Sequence, residues 1–228
     1  MFGRWRHRKR CKALAARCDA PALRKYLEQG AHLDPGSITQ TPMIAVDLEL
    51  TGLDVSNNQI ISVGWTQIDE GRIRIGSNRH ILVNADQSVG SSAAIHELLD
   101  NEISEGADLN TALEKLFEAA AGRTWVFHHA SLDTAFLQKA CMEWATISPP
   151  FAVLDTMQIE LSLRKRREQP VQQGDLQLSR LRRDYHLPRY TAHNALIDAF
   201  ATAELLLAIA ARLDRKKPLE LAPFLRFI

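Results

Sequence analysis

The sequence predicts an α/β fold with a mixed five-stranded sheet flanked by helices. Three observations point there. Apolar, strand-like runs with short links follow one another from Met43. Helical and short strand-like segments then alternate from about residue 108. The last third of the chain is almost wholly helical in its spacing. The 228 residues are 46% hydrophobic and 24% charged, ordinary values for a globular domain that exclude disorder as the main state. Lys and Arg number 28 against 27 Asp and Glu, a net charge of +1. Bulk charge would not hold a polyanion; local patches would have to.

In residues 1–38, Leu14, Ala15, Cys18, Leu23, Tyr26 and Leu27 recur at helical spacing, and Asp34-Pro35-Gly36-Ser37 reads as a loop. This segment is expected to be a basic helical N-terminal extension, with residues 39–228 as the main domain. Its cations (Arg4, Arg6, Arg8, Lys9, Arg10, Lys12) are either a solvated terminus or a contact for phosphate or a partner. His7, Cys11 and Cys18 match no usual zinc spacing and have no fourth ligand nearby, so they read as ordinary helix positions. With Cys141 they leave three cysteines, a sparse, odd set that suits a reducing compartment and a cytoplasmic location. No apolar stretch reaches the roughly 20 residues of a membrane span. No long apolar run follows the basic start, so no secretory signal is expected.

Met43–Val46 is a short apolar run between turn residues and is the first predicted strand. Residues 60–65 follow, then Ile73–Ile75 running on to Val83, with Asp69-Glu70-Gly71-Arg72 as a hairpin turn between them. Short links of this kind make an antiparallel meander. Helical spacing then covers 108–121, Trp125–Phe127 reads as a buried strand, and 132–144 is helical. Phe151–Leu154 is the fifth strand, and helices are expected at 155–166, 175–186 and 192–213.

Asp47 and Glu49 end the first strand, and period 2 places both carboxylates on one face. An acid-x-acid pair alone is weak evidence. At the end of an apolar strand, however, two like charges are costly unless a cation neutralises them. Oxygen ligands of this kind suit Mg²⁺ or Mn²⁺. Asp133 begins the helix after Trp125–Phe127; it is either a carboxylate favoured by the helix dipole or a further ligand. Asp198 lies among Ala195, Leu196, Ile197, Ala199 and Phe200, either on a solvent stripe or aimed at a metal. His193 precedes it by five residues, as a capping, surface or catalytic residue.

The segments V-D-L-E-L-T-G-L-D at 46–54, H-H-A-S-L-D at 128–133 and H-N-A-L-I-D-A at 193–199 stand in a definite order and spacing. Together they resemble the DEDD exonuclease superfamily, in the variant with a histidine before the final aspartate. The likeness is nearest to DnaQ-like enzymes such as the epsilon proofreading subunits of bacterial DNA polymerase III, and spans about 43–212. It implies a ribonuclease-H-like fold and a DnaQ-like exonuclease domain over 39–228. It also implies that Asp47, Glu49, Asp133 and Asp198 hold two Mg²⁺ or Mn²⁺ ions, with Asp47 bridging. His193 would take a proton from the attacking water; an ordinary imidazole titrates near about 6.5 and is mostly neutral at pH 7–8. The implied activity is 3′→5′ removal of nucleoside 5′-monophosphates from single-stranded DNA.

Leu50, Thr51, Gly52 and Leu53 follow the first acids and are candidate contacts to the terminal nucleotide. His96, in the segment Ile95-His96-Glu97-Leu98, and His128 and His129 join them. The alternative for Leu50 and Leu53 is core packing, and for His128 a structural role. Leu50 stands where the polymerase subunits have a threonine, and the D-L-E-x-T-G-L form is closer to oligoribonucleases. His129 replaces a usual asparagine and Leu132 a usual phenylalanine. An exoribonuclease or oligoribonuclease-type enzyme is therefore the alternative. An inactive nucleic-acid or polymerase binding module and a small-molecule phosphodiesterase are further ones. Residues 1–38 are a candidate contact for a polymerase or another protein. The densest basic stretch, Arg164–Arg167 with Arg180, Arg182 and Arg183, is either a solvated face or a track for phosphates.

Overall fold

The computed structural model describes residues 2–84, 106–191, 193–213 and 216–228. Two helices come first, α1 (Phe2–Ala15) and α2 (Pro21–Gly30). The strands β1 (Met43–Leu50), β2 (Ile60–Asp69) and β3 (Arg72–Leu82) form the meander. Then follow α3 (Leu109–Ala120), β4 (Thr124–Phe127), α4 (Ala130–Ala145), β5 (Ala152–Asp155), α5 (Thr156–Arg166), α6 (Leu178–Asp184) and α7 (Ala195–Leu213). A two-residue strand, β6 (Arg226–Phe227), closes the order.

The sheet runs β3-β2-β1-β4-β5-β6. The meander pairs antiparallel, β1 with β4 and β4 with β5 pair parallel, and β5 with β6 is antiparallel. The sheet is thus mixed and flanked by helices as expected, but among the described residues it has six strands instead of five. The sixth owes its place to tertiary pairing: Phe151 and Ile228 exchange backbone hydrogen bonds of 2.9 Å beside it. Two residues carry no periodicity that a sequence reading could find.

Alternation along the strands sorts the core into two layers. Ile44, Val46 and Leu48 of β1, Trp125 and Phe127 of β4 and Val153 of β5 face α2, α3 and α4. Met43, Ala45, Val126 and Leu154 face α5, α6 and α7. Asp47 and Glu49 continue the second set by the same period, so their carboxylates turn toward α7. The apolar side of α1 and α2 joins the first layer through Cys11, Leu14, Leu23, Tyr26 and Leu27. Tyr26 is buried, donates to the Pro150 carbonyl at 2.8 Å and accepts from the Trp125 indole at 3.2 Å. The described part of the extension, residues 2–38, therefore packs on the sheet across the boundary at 38. Among the described residues, no helix is long and apolar enough to cross a membrane.

Candidate active site

Three elements meet at the C-terminal end of β1. Asp47 pairs in register with Gly64 of β2, and α7 begins directly above that glycine. A Cβ on Gly64 would collide with the Ala195 carbonyl and the Leu196 nitrogen, so only glycine lets the helix sit this close. The close approach lowers Asp198, in the first turn of α7, onto the two β1 acids. One oxygen each from Asp47, Glu49 and Asp198 lies within 4.8 Å of the other two. Glu49 and Asp133 are buried; Asp47 and Asp198 are partly covered.

Asp133 comes from the first turn of α4 on the neighbouring parallel strand. It does not join the mutual 4.8 Å set, but its carboxyl lies against β1, where the Leu48 N–H stabilises it. Burial and the neighbouring acids push Asp47 well above the usual carboxylate range. Burial, then Asp198 and Asp133, push Glu49 up to about 8. Burial also raises Asp133 and Asp198, the latter held back by the His193 N–H. His193 and Arg182 ease the charge on Asp198, yet all four acids stay raised, and a divalent ion bound by hard oxygen ligands is the chemistry that would neutralise them.

His193 is tied to the site through its backbone. Its N–H donates to Asp198 Oδ2 at 2.8 Å, and its φ of 70° is the left-handed region, uncommon for a residue with a Cβ. The side chain is exposed and lines a cleft of about 820 Å³ with Asp47, Asp198 and His128. The far wall of the cleft is α6 and the segments around it, including Arg180, Arg183, Arg189 and Tyr190.

The other expected contacts separate. Leu50 is buried in the core layer and Leu53 is 77% exposed. Thr51 and Gly52 form the turn after β1, where Thr51 Oγ1 donates to Asn58 Oδ1 at 3.1 Å and accepts from the Gln59 N–H. A Cβ on Gly52 would press on Asn58 Oδ1 at 2.5 Å. His128 borders the cleft, but both ring nitrogens are used within the protein, on Thr156 Oγ1 at 2.8 Å and the Leu176 carbonyl at 2.9 Å. His129 caps α4 with a left-handed backbone, φ 81°. His96 lies outside the described residues.

The basic stretch divides in the same way. Arg164 is paired with Glu160, Asp175 and Asp184, and Arg180 with Asp184. Arg182 is buried against Glu204 and donates to the Ala201 and Pro188 carbonyls. Lys165, Arg166, Arg167 and Arg183 are exposed.

Sequence reasoning missed Asp155. This buried carboxylate ends β5 and accepts four backbone N–H groups, from His129, Ala130, Met157 and Gln158. It clamps the N-termini of α4 and α5 together and so fixes the turn that presents Asp133. The available signal was an acid between an apolar strand and a helix, an N-cap position.

Residues 44–206 match the family model of the RNase_T exonucleases. The chain belongs to that family. It is thereby a nuclease hydrolase of the DEDD superfamily, and such exonucleases use divalent metals. The chain is 25% identical to the 3′-5′ exonuclease DinG of Staphylococcus haemolyticus over 168 residues, covering 73% of this chain and 18% of that one. It is 24% identical to the DNA polymerase III subunit epsilon of Salmonella typhimurium over 177 residues, covering 74% and 71%. Two solved structures share the fold: an E. coli exonuclease I complex with single-stranded DNA (TM-score 0.65, 13% identity, 77% and 42% covered) and S. pombe Pop2p bound to Mg²⁺ and Mn²⁺ (0.62, 18%, 82% and 89%). The chain thus spans under a fifth of DinG but most of the epsilon subunit and Pop2p.

Proposed function

We propose that this RNase_T-family exonuclease hydrolyses single-stranded DNA from the 3′ end and releases nucleoside 5′-monophosphates. The observation that carries the reading is the convergence of Asp47, Glu49 and Asp198, two of which line one cleft with His193. Asp47, Glu49 and Asp198, with Asp133 alongside, would hold two Mg²⁺ or Mn²⁺ ions. When bound, those ions supply charge neutralisation and Lewis acidity at the scissile phosphodiester. His193, in its neutral form, accepts the proton of the attacking water. The His193 N–H bond to Asp198 keeps that imidazole near the reacting centre. The cleft arginines Arg180, Arg183 and Arg189 face the phosphates behind the terminal nucleotide, and the turn at Thr51 and Gly52 meets its sugar.

The 3′ direction is supported by the likeness to DinG, a 3′-5′ exonuclease, and single-stranded DNA by the likeness to the exonuclease I complex. Likeness to the epsilon subunit supports an enzyme working beside a polymerase, and the three free cysteines fit a cytoplasmic location. The D-L-E-L-T-G-L pattern at 47–53 favours a second reading, an oligoribonuclease-type enzyme. Matched 5′-labelled DNA and RNA strands, digested with Mg²⁺ or Mn²⁺ and with chelator as control, test both. A metal-dependent ladder shortening from the 3′ end is expected, faster on DNA. Faster loss of RNA selects the second reading. Immediate release of the 5′ label as mononucleotide, or no ladder, defeats both.

A further inference from the structure

We propose that the outward face of α1 binds single-stranded nucleic acid, as a contact separate from the cleft. Helical spacing puts Phe2, Trp5, Lys9 and Lys12 on one side, with Arg6 at its border, opposite the buried His7, Cys11 and Leu14. Phe2 is 82% exposed and Trp5 60%. Arg6, Lys9 and Lys12 are exposed beside them, and Lys9 lies 5.3 Å above the Trp5 ring.

The cations of α1 divide by direction. Arg4 and Arg8 turn to Asp34, and Arg10 donates to the Ser148 carbonyl at 3.1 Å. These hold the helix on the protein. Arg6, Lys9 and Lys12 meet no carboxylate among the described residues, and α1 itself contains no acid. The helix therefore offers three cations that meet no carboxylate among the described residues, one of them stacked over Trp5, beside two exposed aromatic rings. Cations that take phosphates, interleaved with rings on which bases stack, are the chemistry of a sequence-tolerant single-strand surface. A membrane surface fits less well. Apart from the two rings, the outward apolar residues are Ala13 and Ala16, so there is little area to sink among lipids.

No residue of α1 lines the cleft. The acids turn toward α7, across the sheet from the layer that α1 joins. Only a strand long enough to pass around the sheet would be held at both places and gain effective concentration at the active site, whereas a dinucleotide could reach only the cleft. The proposal rests on a nucleic-acid substrate for this family member, and not on the direction of cleavage or the sugar.

The test uses the full chain and a fluorescent oligothymidylate of roughly 20 nucleotides, with chelator present so that binding is read without cleavage. The variants are Trp5→Ala and the triple Arg6→Gln, Lys9→Gln, Lys12→Gln, all at exposed positions. The triple variant is expected to weaken binding about tenfold and to lower the slope of log affinity against log salt by about 2. Trp5→Ala is expected to weaken binding and abolish the quenching of tryptophan fluorescence by the oligonucleotide. Metal-dependent hydrolysis of a dinucleotide should stay at the parent rate in both. Unchanged affinity and salt slope would overturn the proposal. So would loss of binding to phosphatidylserine vesicles with oligonucleotide binding intact. A parent protein that binds the oligonucleotide but hydrolyses no substrate would break the cleft reading and leave this surface standing.

Discussion

The C-terminal ends of β1 and β5 both carry buried carboxylates, yet their surroundings are opposite. At β5, Asp155 has four backbone N–H donors, from His129, Ala130, Met157 and Gln158. At β1, Asp47 and Glu49 have each other, Asp198 and Asp133 for neighbours, all of like charge, and burial raises every one of them. One acid holds two helices in place. The other group is held in place at a cost in stability. The contrast separates a carboxylate that serves the fold from carboxylates that the fold keeps ready for a cation.

The largest effect should come from the β1 end. Asp47→Asn removes one charge from the crowded set while keeping the side chain's shape. Hydrolysis is expected to fall by about 10³-fold or more, since the metal-bound charge stabilisation is worth several kcal/mol. Thermal stability of the metal-free protein should hold or rise, because a like-charge repulsion is lost. A large drop in Tm instead would mean that Asp47 is structural, and the contrast with Asp155 would collapse.

Asp155→Ala should do the reverse. It leaves four N–H groups without their acceptor, at a cost of about 3–5 kcal/mol. At about 2–4 °C per kcal/mol for a chain of this size, Tm should fall by about 10 °C. Calorimetry checks this, and Asp155→Asn should recover part of the loss. An unchanged Tm would show that water replaces the carboxylate without penalty.

The smallest effect is in the pH response of the metal-free protein. Folding raises the Glu49 carboxyl to about 8, so the folded state prefers the protonated form. The associated stability is present below the ordinary carboxylate range and fades as pH rises through 8. Melting in chelator should show Tm falling by about 5 °C between pH 6 and pH 9. Added Mg²⁺ or Mn²⁺ should restore most of it, with a gain that grows with pH. A flat profile in chelator would mean that the four acids are better solvated than their packing suggests.

The strands and the acids were legible because local pattern carries them. Apolar runs marked β1 to β5, and three short segments placed Asp47, Glu49, Asp133, Asp198 and His193 in order. What long-range geometry decides was not legible. Strand β6 exists only through its pairing with β5. His128 looked available until its two nitrogens met Thr156 and Leu176, residues 28 and 48 positions away. Leu50 and Leu53 are three residues apart in one motif, yet one is core and the other is 77% exposed. Gly64 sits in an ordinary strand sequence, and only the position of α7 explains why no larger residue fits there.

The seam between Tyr26 and the sheet bears on what a shortened chain would expose. Tyr26 packs edge-on against Phe117 and Trp125, with ring centroids 5.2 and 5.8 Å away, and Phe151 lies 6.3 Å off. The family match begins at residue 44, beyond both N-terminal helices. A chain trimmed to that match would uncover one side of this aromatic cluster, a greasy plaque of the kind that drives self-association. Helices α1 and α2 thus act as a built-in cover for these rings, and shortening the protein to its recognisable part would leave a stickier surface.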